Sequence, residues 1–241
     1  MATIDPSGWT GLVDPTALGP ELADAVASLP PGLAPPTAAG DRGLATVAIE
    51  DEGEPLVPID DVLACGHPYR TKGLPGVPDR PWARATVRDL LVAARGRLPR
   101  DFDLWILDPW RSLDTQRALF DEVYGPGSTL PPGFVADPDD PDVAPAHTTG
   151  GAVDLTLSWR GTPLALGTDF DAFEPRAHLA ALEADPGAAV ERDLRRLLAH
   201  VLTGAGFVGL VEEWWHVSYG DQRWALHHGT TARYGPVTPP T

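Results

Sequence analysis

Two short stretches, far apart in the chain, carry side chains able to hold a metal ion and use it. In Ala146-His147-Thr148-Thr149-Gly150-Gly151-Ala152-Val153-Asp154 an imidazole and a carboxylate stand seven residues apart, joined by a flexible turn. Glu213-Trp214-Trp215-His216 adds a second imidazole with a carboxylate close by. His147, Asp154 and His216 would give zinc three protein ligands and leave its fourth tetrahedral position to water, the catalytic rather than the structural pattern. A glutamate beside the second histidine then stands as the base. One His/Asp pair among seven histidines is weak evidence. Its weight comes from the glycine-rich entry into an apolar stretch and from the aromatic-rich segment that carries Glu and His.

These residues need a framework. Ala152-Val-Asp-Leu-Thr-Leu157 and Asp103-Leu-Trp-Ile-Leu-Asp108 read as buried strands. Phe207 to Tyr219, rich in aromatic and β-branched residues, reads as a further strand. In a regular strand Glu212, four residues before His216, shares the histidine's face; Glu213 does so only if the strand bulges, twists or ends near Trp214. Trp82 to Leu98 places Val87, Leu90, Leu91, Ala94 and Leu98 on one face of an amphipathic helix. A second helix runs from a Ser112 cap to Gly125, and a third from Asp185-Pro186 to Gly204, with Val190, Leu194, Leu197, Leu198, Val201 and Leu202 as its stripe. Leu44 to Leu63 reads as a hairpin or a strand and connector.

The remaining segments are less regular. Residues 1–45 form an irregular arm with one short helix through Leu18, Leu22, Val26 and Leu29. Residues 126–145 hold six prolines and the run Asp137, Asp139, Asp140, Asp142, fitting either a wall or lid beside the site or a solvated charge run. The tail from Leu226, with His227 and His228, reads as unstructured. Arg111, where a strand meets a helix, can reach into a site or pair with Asp108 or Asp114. Tyr69, taken alone, reads as a surface tyrosine.

A length of 241 residues with 43% hydrophobic content supports one sizeable domain. A formal charge of −16 argues against nucleic-acid or anionic-membrane partners, which require a basic face. Cys65 stands alone, so there is neither an intrachain disulfide nor a thiolate cluster, and a metal must be held by His and carboxylate. Neither a signal-peptide pattern nor a ~20-residue apolar span appears, and the expected location is cytoplasmic.

His147 to Asp154 and Glu213 to His216 resemble the H-x6-D and E-W-W-H motifs of the D-alanyl-D-alanine dipeptidases, zinc peptidases of the vancomycin-resistance type related to cell-wall zinc carboxypeptidases. The resemblance covers roughly residues 50 to 226. It implies Glu213, rather than Glu212, as the base. It implies Arg111, in Asp-Pro-Trp-Arg-Ser where the family has Asp-Gly-Tyr-Arg-Pro, as the group that stabilises the oxyanion. Asp171 of Leu166-Gly-Thr-Asp-Phe-Asp171 and Tyr69 would hold the substrate ammonium, with a weaker role for Asp169. Pro145 stands where family members often carry serine, so that contact is lost or supplied by Thr148 or Thr149. The implied fold is α+β, a central antiparallel sheet carrying a zinc site and flanked by helices. The expected organisation is an arm (1–45), a zinc dipeptidase domain (46–226) and a tail (227–241). The expected function is hydrolysis of a D-Ala-D-Ala-type dipeptide with a free amino terminus, with one Zn2+ per chain. The alternatives are the same chemistry on another small dipeptide-like substrate, as in a biosynthetic pathway, or a non-catalytic zinc module.

Overall fold

The computed structural model describes residues 9–130 and 133–240; residues 1–8 of the expected arm, 131–132 of the proline-rich loop and 241 lie outside the described residues. In chain order the strands are β1 (Ala38–Ala39), β2 (Leu56–Pro58), β3 (Ala64–Cys65), β4 (Trp82–Arg84), β5 (Phe102–Asp108), β6 (Ala152–Trp159), β7 (Thr162–Pro163), β8 (Val208–Leu210) and β9 (His216–Ser218). The helices are α1 (Pro20–Ala27), α2 (Pro68–Lys72), α3 (Ala85–Arg95), α4 (Leu113–Tyr124), α5 (Ala189–Thr203) and α6 (Gln222–His228). None is long and apolar enough to cross a membrane among the described residues.

The main sheet runs β1-β8-β9-β6-β5-β3, with β7 folded back on β6. Its pairings β8–β9, β9–β6 and β6–β5 are antiparallel, while β1–β8 and β3–β5 at the two ends are parallel. The fold is therefore a mixed α and β structure whose sheet is itself mixed, because short segments of the arm and of residues 64–65 add to its edges. Every residue of β6 is buried: Val153, Leu155, Leu157 and Trp159 alternate with Asp154, Thr156 and Ser158, so one face joins the core and the other carries buried polar groups. Val87, Leu91 and Ala94 of α3 and Leu194, Leu197, Leu198, Val201 and Leu202 of α5 form the helical stripes that close the core behind the sheet. Ser112 caps α4 by accepting from the Thr115 amide at 3.1 Å.

Several segments depart from the sequence reading. Leu44 to Leu63 takes the second of its two readings, a strand and connector, and not the hairpin: a 3-10 turn at Leu44–Thr46 is followed by β2, which pairs with β4. Pro55 and Pro58 lack the amide donors that a local ladder needs. Residues 82–84, expected to open a helix, are that partner strand. Phe207 to Tyr219 is two short antiparallel strands joined by a turn, β8 and β9, with Trp214 and Trp215 buried in the connection. The tail is packed: Ala232 bridges to Ile49, Tyr234 is fully buried, and Trp110 donates to the Val237 carbonyl at 2.9 Å.

Arg84 joins these distant parts. Its guanidinium is 1% exposed and donates to the carbonyls of Thr149 (2.7 Å), Gly235 (2.9 Å) and Glu54 and to the Asp51 carboxylate (2.8 Å), stacked over the Tyr234 ring at 4.9 Å. Removing it would leave buried carbonyls without donors. Arg84→Ala should lower unfolding stability by about 3 kcal/mol, seen as a fall in the urea midpoint at unchanged slope.

Candidate active site

Register provides the first part of the positioning. β5, β6 and β9 are neighbours, and their pairing sets Asp108 opposite Asp154 and Asp154 opposite His216. The β5–β6 ladder slips between Ile106 and Asp108, an irregularity that re-aims the residues after it. His147 comes from outside the sheet, on the 3-10 turn Ala146–Thr149 that ends at Gly150 with φ 71°. The left-handed backbone favours glycine, and a Cβ there would stand 2.4 Å from the Leu56 Cδ2 methyl, which would have to move.

One donor atom from each of His147, Asp154 and His216 lies within 4.8 Å of the others, and all three residues are buried. His147 Nε2 is 3.2 Å from His216 Nδ1 and 3.4 Å from Asp154 Oδ2; His216 Nδ1 is 3.0 Å from Asp154 Oδ1. His147 Nδ1 faces the Pro109 carbonyl at 2.9 Å. A carbonyl only accepts, so Nδ1 carries the proton and the Nε2 lone pair points at the cluster. Burial alone would raise the Asp154 carboxyl, yet His147 and His216 hold it well below the usual carboxylate range. Two imidazole nitrogens and an ionised carboxylate converging in this way fit a divalent cation with nitrogen and oxygen ligands.

Glu213 sits in the turn between β8 and β9, buried, with Oε2 4.0 Å from His216 Nδ1. Burial, then the negative charges of Asp154 and Asp171, push its carboxyl well above the ordinary range. Glu212 is partly exposed and does not line the cavity. Strand periodicity pointed to Glu212 instead, because it assumes a regular strand where the chain reverses between β8 and β9.

Arg111 is both ion-paired and in the site. Nε and Nη2 meet Asp108 Oδ2 at 2.9 and 2.8 Å, Nη1 donates to Gln116 Oε1 at 2.8 Å, and Nη2 lies 3.3 Å from the Tyr69 hydroxyl and 3.8 Å from Asp154 Oδ2. Tyr69, on α2, is a buried residue and not a surface one: its ring lies under the guanidinium at 5.1 Å and stacks on Trp9 at 6.2 Å. Its hydroxyl donates to Asp171 Oδ2 at 2.9 Å. Asp171 has φ 57°, a left-handed conformation that aspartate tolerates better than most residues. Arg195 of α5 steadies the loop by donating to the carbonyls of Leu166, His178 and Arg176 at 2.7, 2.8 and 3.0 Å. Asp169 is engaged elsewhere, accepting from the Thr10 hydroxyl at 2.6 Å and the Phe170 amide at 2.8 Å.

All seven side chains singled out in the sequence, Tyr69, Arg111, His147, Asp154, Asp171, Glu213 and His216, line one cavity of about 540 Å³. The described part of the proline-rich loop forms a wall of it, through Gly133 to Asp137, Asp140, Val143 and Ala144. Tyr124 accepts from the amides of Phe134 and Val135 at 2.9 and 3.3 Å, and Gln116 donates to the Ala136 carbonyl at 2.7 Å. Thr148 and Thr149 direct their hydroxyls back to the Pro145 and Ala146 carbonyls, so neither takes the role of the serine that Pro145 replaces. Sequence reading named Asp108 as a possible partner of Arg111 but missed Gln116, Asp41 and Arg223. Arg223 Nη1 stands 2.9 Å from His216 Nε2 while its fork grips Asp41 at 2.8 Å. Asp41 and Arg223 have no spacing signal, since they meet across nearly the whole chain.

Residues 87–233 match the Peptidase M15 family, described as D-ala-D-ala dipeptidase. The chain is 27% identical over 234 residues to a D-alanyl-D-alanine dipeptidase of Synechocystis sp., an alignment covering 79% of this chain and 95% of the relative. It is 41% identical over 114 residues to a D-alanyl-D-alanine dipeptidase of Escherichia coli, covering 47% of this chain and 53% of that protein.

Burial, then the charge of Asp154, pushes the Asp171 carboxyl up to about 7 from its ordinary value of 3.8. The folded, metal-free protein thus keeps this proton where the unfolded chain has lost it, and the stability so gained is full below pH 3.8 and lost as pH rises through about 7. Metal-free Asp171→Asn should therefore match the parent in acid and exceed it at pH 8 by an amount on the order of a few kcal/mol, measured by denaturant titration at both pH values.

Proposed function

The chain belongs to the Peptidase M15 family of D-Ala-D-Ala dipeptidases and is a metallopeptidase, and from that premise we propose that it hydrolyses a D-Ala-D-Ala-type dipeptide with a free amino terminus, using one zinc ion per chain. The observation that carries the proposal is the single cavity in which the His147, Asp154, His216 donor set, the buried Glu213 and the Tyr69–Asp171 pair all meet. Two imidazoles and one carboxylate are the ligand types of catalytic zinc sites. Bound zinc would polarise the substrate carbonyl and lower the pKa of water toward ~7.

The chain's own residues supply the rest. Glu213, made more basic by burial among other carboxylates, takes the proton of the attacking water and passes it to the leaving nitrogen. Arg111, fixed by Asp108 and Gln116, presents Nη2 to the oxygen that becomes negative as the carbonyl is attacked. Asp171 and the Tyr69 hydroxyl hold the substrate's α-ammonium. An ammonium anchor in the same cavity as the ligand set leaves no path for a long N-terminal peptide, which favours a dipeptidase over an endopeptidase. A glutamate base and an arginine beside the ligands also argue against a non-catalytic zinc module.

Purified protein should carry near-stoichiometric zinc, and His216→Ala should lose it; equal zinc in both would remove His216 from the ligand set. Glu213→Ala should keep its zinc and lose at least about 1000-fold in kcat, whereas Glu212→Ala should stay within about threefold of the parent. Among LL, DL, LD and DD dipeptides the DD form should be cleaved fastest and its N-acetyl derivative not at all. Comparable cleavage of free and N-acetylated substrate would eliminate the dipeptidase reading.

A further inference from the structure

The cavity is large for a substrate with two methyl side chains. Its volume of about 540 Å³ falls within the roughly 300–1000 Å³ of clefts that enclose drug-sized molecules, and a dipeptide of two alanines fills only a fraction of it. The surplus has a definite character. Leu119, Phe120, Tyr124, Phe134, Val135 and Phe173 line one side, whereas Asp41, Asp221, Gln222 and Arg223 line the other. The apolar group is held in place: Phe134 packs on Phe173 at 5.1 Å, Phe120 on Tyr124 at 5.0 Å, and the Tyr124 hydroxyl fixes the Phe134 and Val135 amides. Phe120, Tyr124, Phe134 and Phe173 remain partly exposed, toward a space that no other described residue fills.

The position of this wall identifies which part of a substrate would meet it. Phe173 follows Asp171 by two residues, and Leu119 and Phe120 lie one helical turn beyond Gln116, the partner of Arg111. The apolar side is therefore the Asp171–Arg111 side, and the acidic and amide groups lie on the His216 side with Arg223. With the first residue's ammonium on Asp171 and its carbonyl at the metal ligands, its α-carbon lies between the two, beside the Phe173 end of the apolar wall.

Resting on the dipeptidase reading, we infer that the substrate class is a dipeptide whose first residue carries a large apolar or aromatic side chain, received by Phe134, Phe173 and the α4 residues Phe120 and Tyr124, with a small second residue. Burial of the extra apolar surface should raise kcat/KM about tenfold or more, the discrimination that even one methylene can give in a fitted pocket.

The test uses zinc-loaded full-length protein and three substrates, Phe-Ala, Ala-Ala and Ala-Phe, in the configuration that the enzyme hydrolyses fastest. The expected result is a kcat/KM for Phe-Ala at least about tenfold above that for Ala-Ala, with Ala-Phe no better than Ala-Ala. In Phe134→Ala and Phe173→Ala the Phe-Ala to Ala-Ala ratio should fall toward one. That ratio is internal to each variant and is insensitive to a general loss of folded enzyme. Preference for Ala-Ala over Phe-Ala would overturn the inference and leave the dipeptidase reading standing. Preference for Ala-Phe, or an unchanged ratio in both variants, would overturn the assignment of the apolar wall to the first residue. Failure to cleave any of the three would remove the dipeptidase reading and the inference with it.

Discussion

Asp154 faces Asp108 on one neighbouring strand and His216 on the other, and the rest of the site is arranged around this row of three. Because side chains alternate across a strand, a slip of one residue in either pairing would turn a member of the row to the opposite face of the sheet. The ladders are held by core on both sides: Val153 and Leu155 flank Asp154 in β6, and Val217 follows His216 in β9, all buried. The apolar sequence of the sheet thus fixes the register, and the register brings the polar groups together.

Placing Asp154, Asp171 and Glu213 around one cavity, with Asp108 just behind Arg111, has an electrostatic consequence. Like charges at low dielectric cannot all be ionised at ordinary cost. The protein divides the load unequally. Asp154 stays ionised between two histidines, Arg111 is forked onto Asp108, and Glu213 and Asp171 are pushed upward by burial and by their neighbours. A divalent cation at the donor set and an ammonium ion beside Asp171 are the charges that such an arrangement accommodates best, so one feature accounts for both the metal and the substrate end of the cavity.

Supports for the cavity come from outside the segment matched by the family, residues 87–233. Trp9 stacks on Tyr69, Thr10 binds Asp169, Asp41 holds the Arg223 fork, and Asp51 and Glu54 meet Arg84 behind the His147 turn. The arm and tail are therefore parts of the scaffold. Between them the described proline-rich segment is fastened to α4 at Gln116, Arg117 and Tyr124. Its acidic residues are partly committed, Asp139 to Arg117 in a two-pronged pair, and so it serves as a wall and not only as a solvated run.

The sequence by itself determined the local elements with strong periodicity and caps, α3 to α5, β5 and β6, because burial on one face or both leaves a direct trace in residue order. Residue types and spacing also pointed to His147, Asp154 and His216, whereas Glu213, Arg111, Asp171 and Tyr69 were singled out by the resemblance to the dipeptidase motifs. Tertiary structure gave the physical reason why Glu213 and not Glu212 enters the cavity, since the reversal between β8 and β9 replaces strand period with turn geometry. It decided that 44–63 pairs with 82–84 instead of with itself, that Tyr69 is buried, and that the tail is ordered by Arg84 and Tyr234. It brought in the Asp41–Arg223 pair, whose members stand 182 residues apart and are joined by the fold and not by spacing. Local order is written in neighbouring residues, whereas these pairings depend on how far-separated segments share one core, and no window along the chain contains that information.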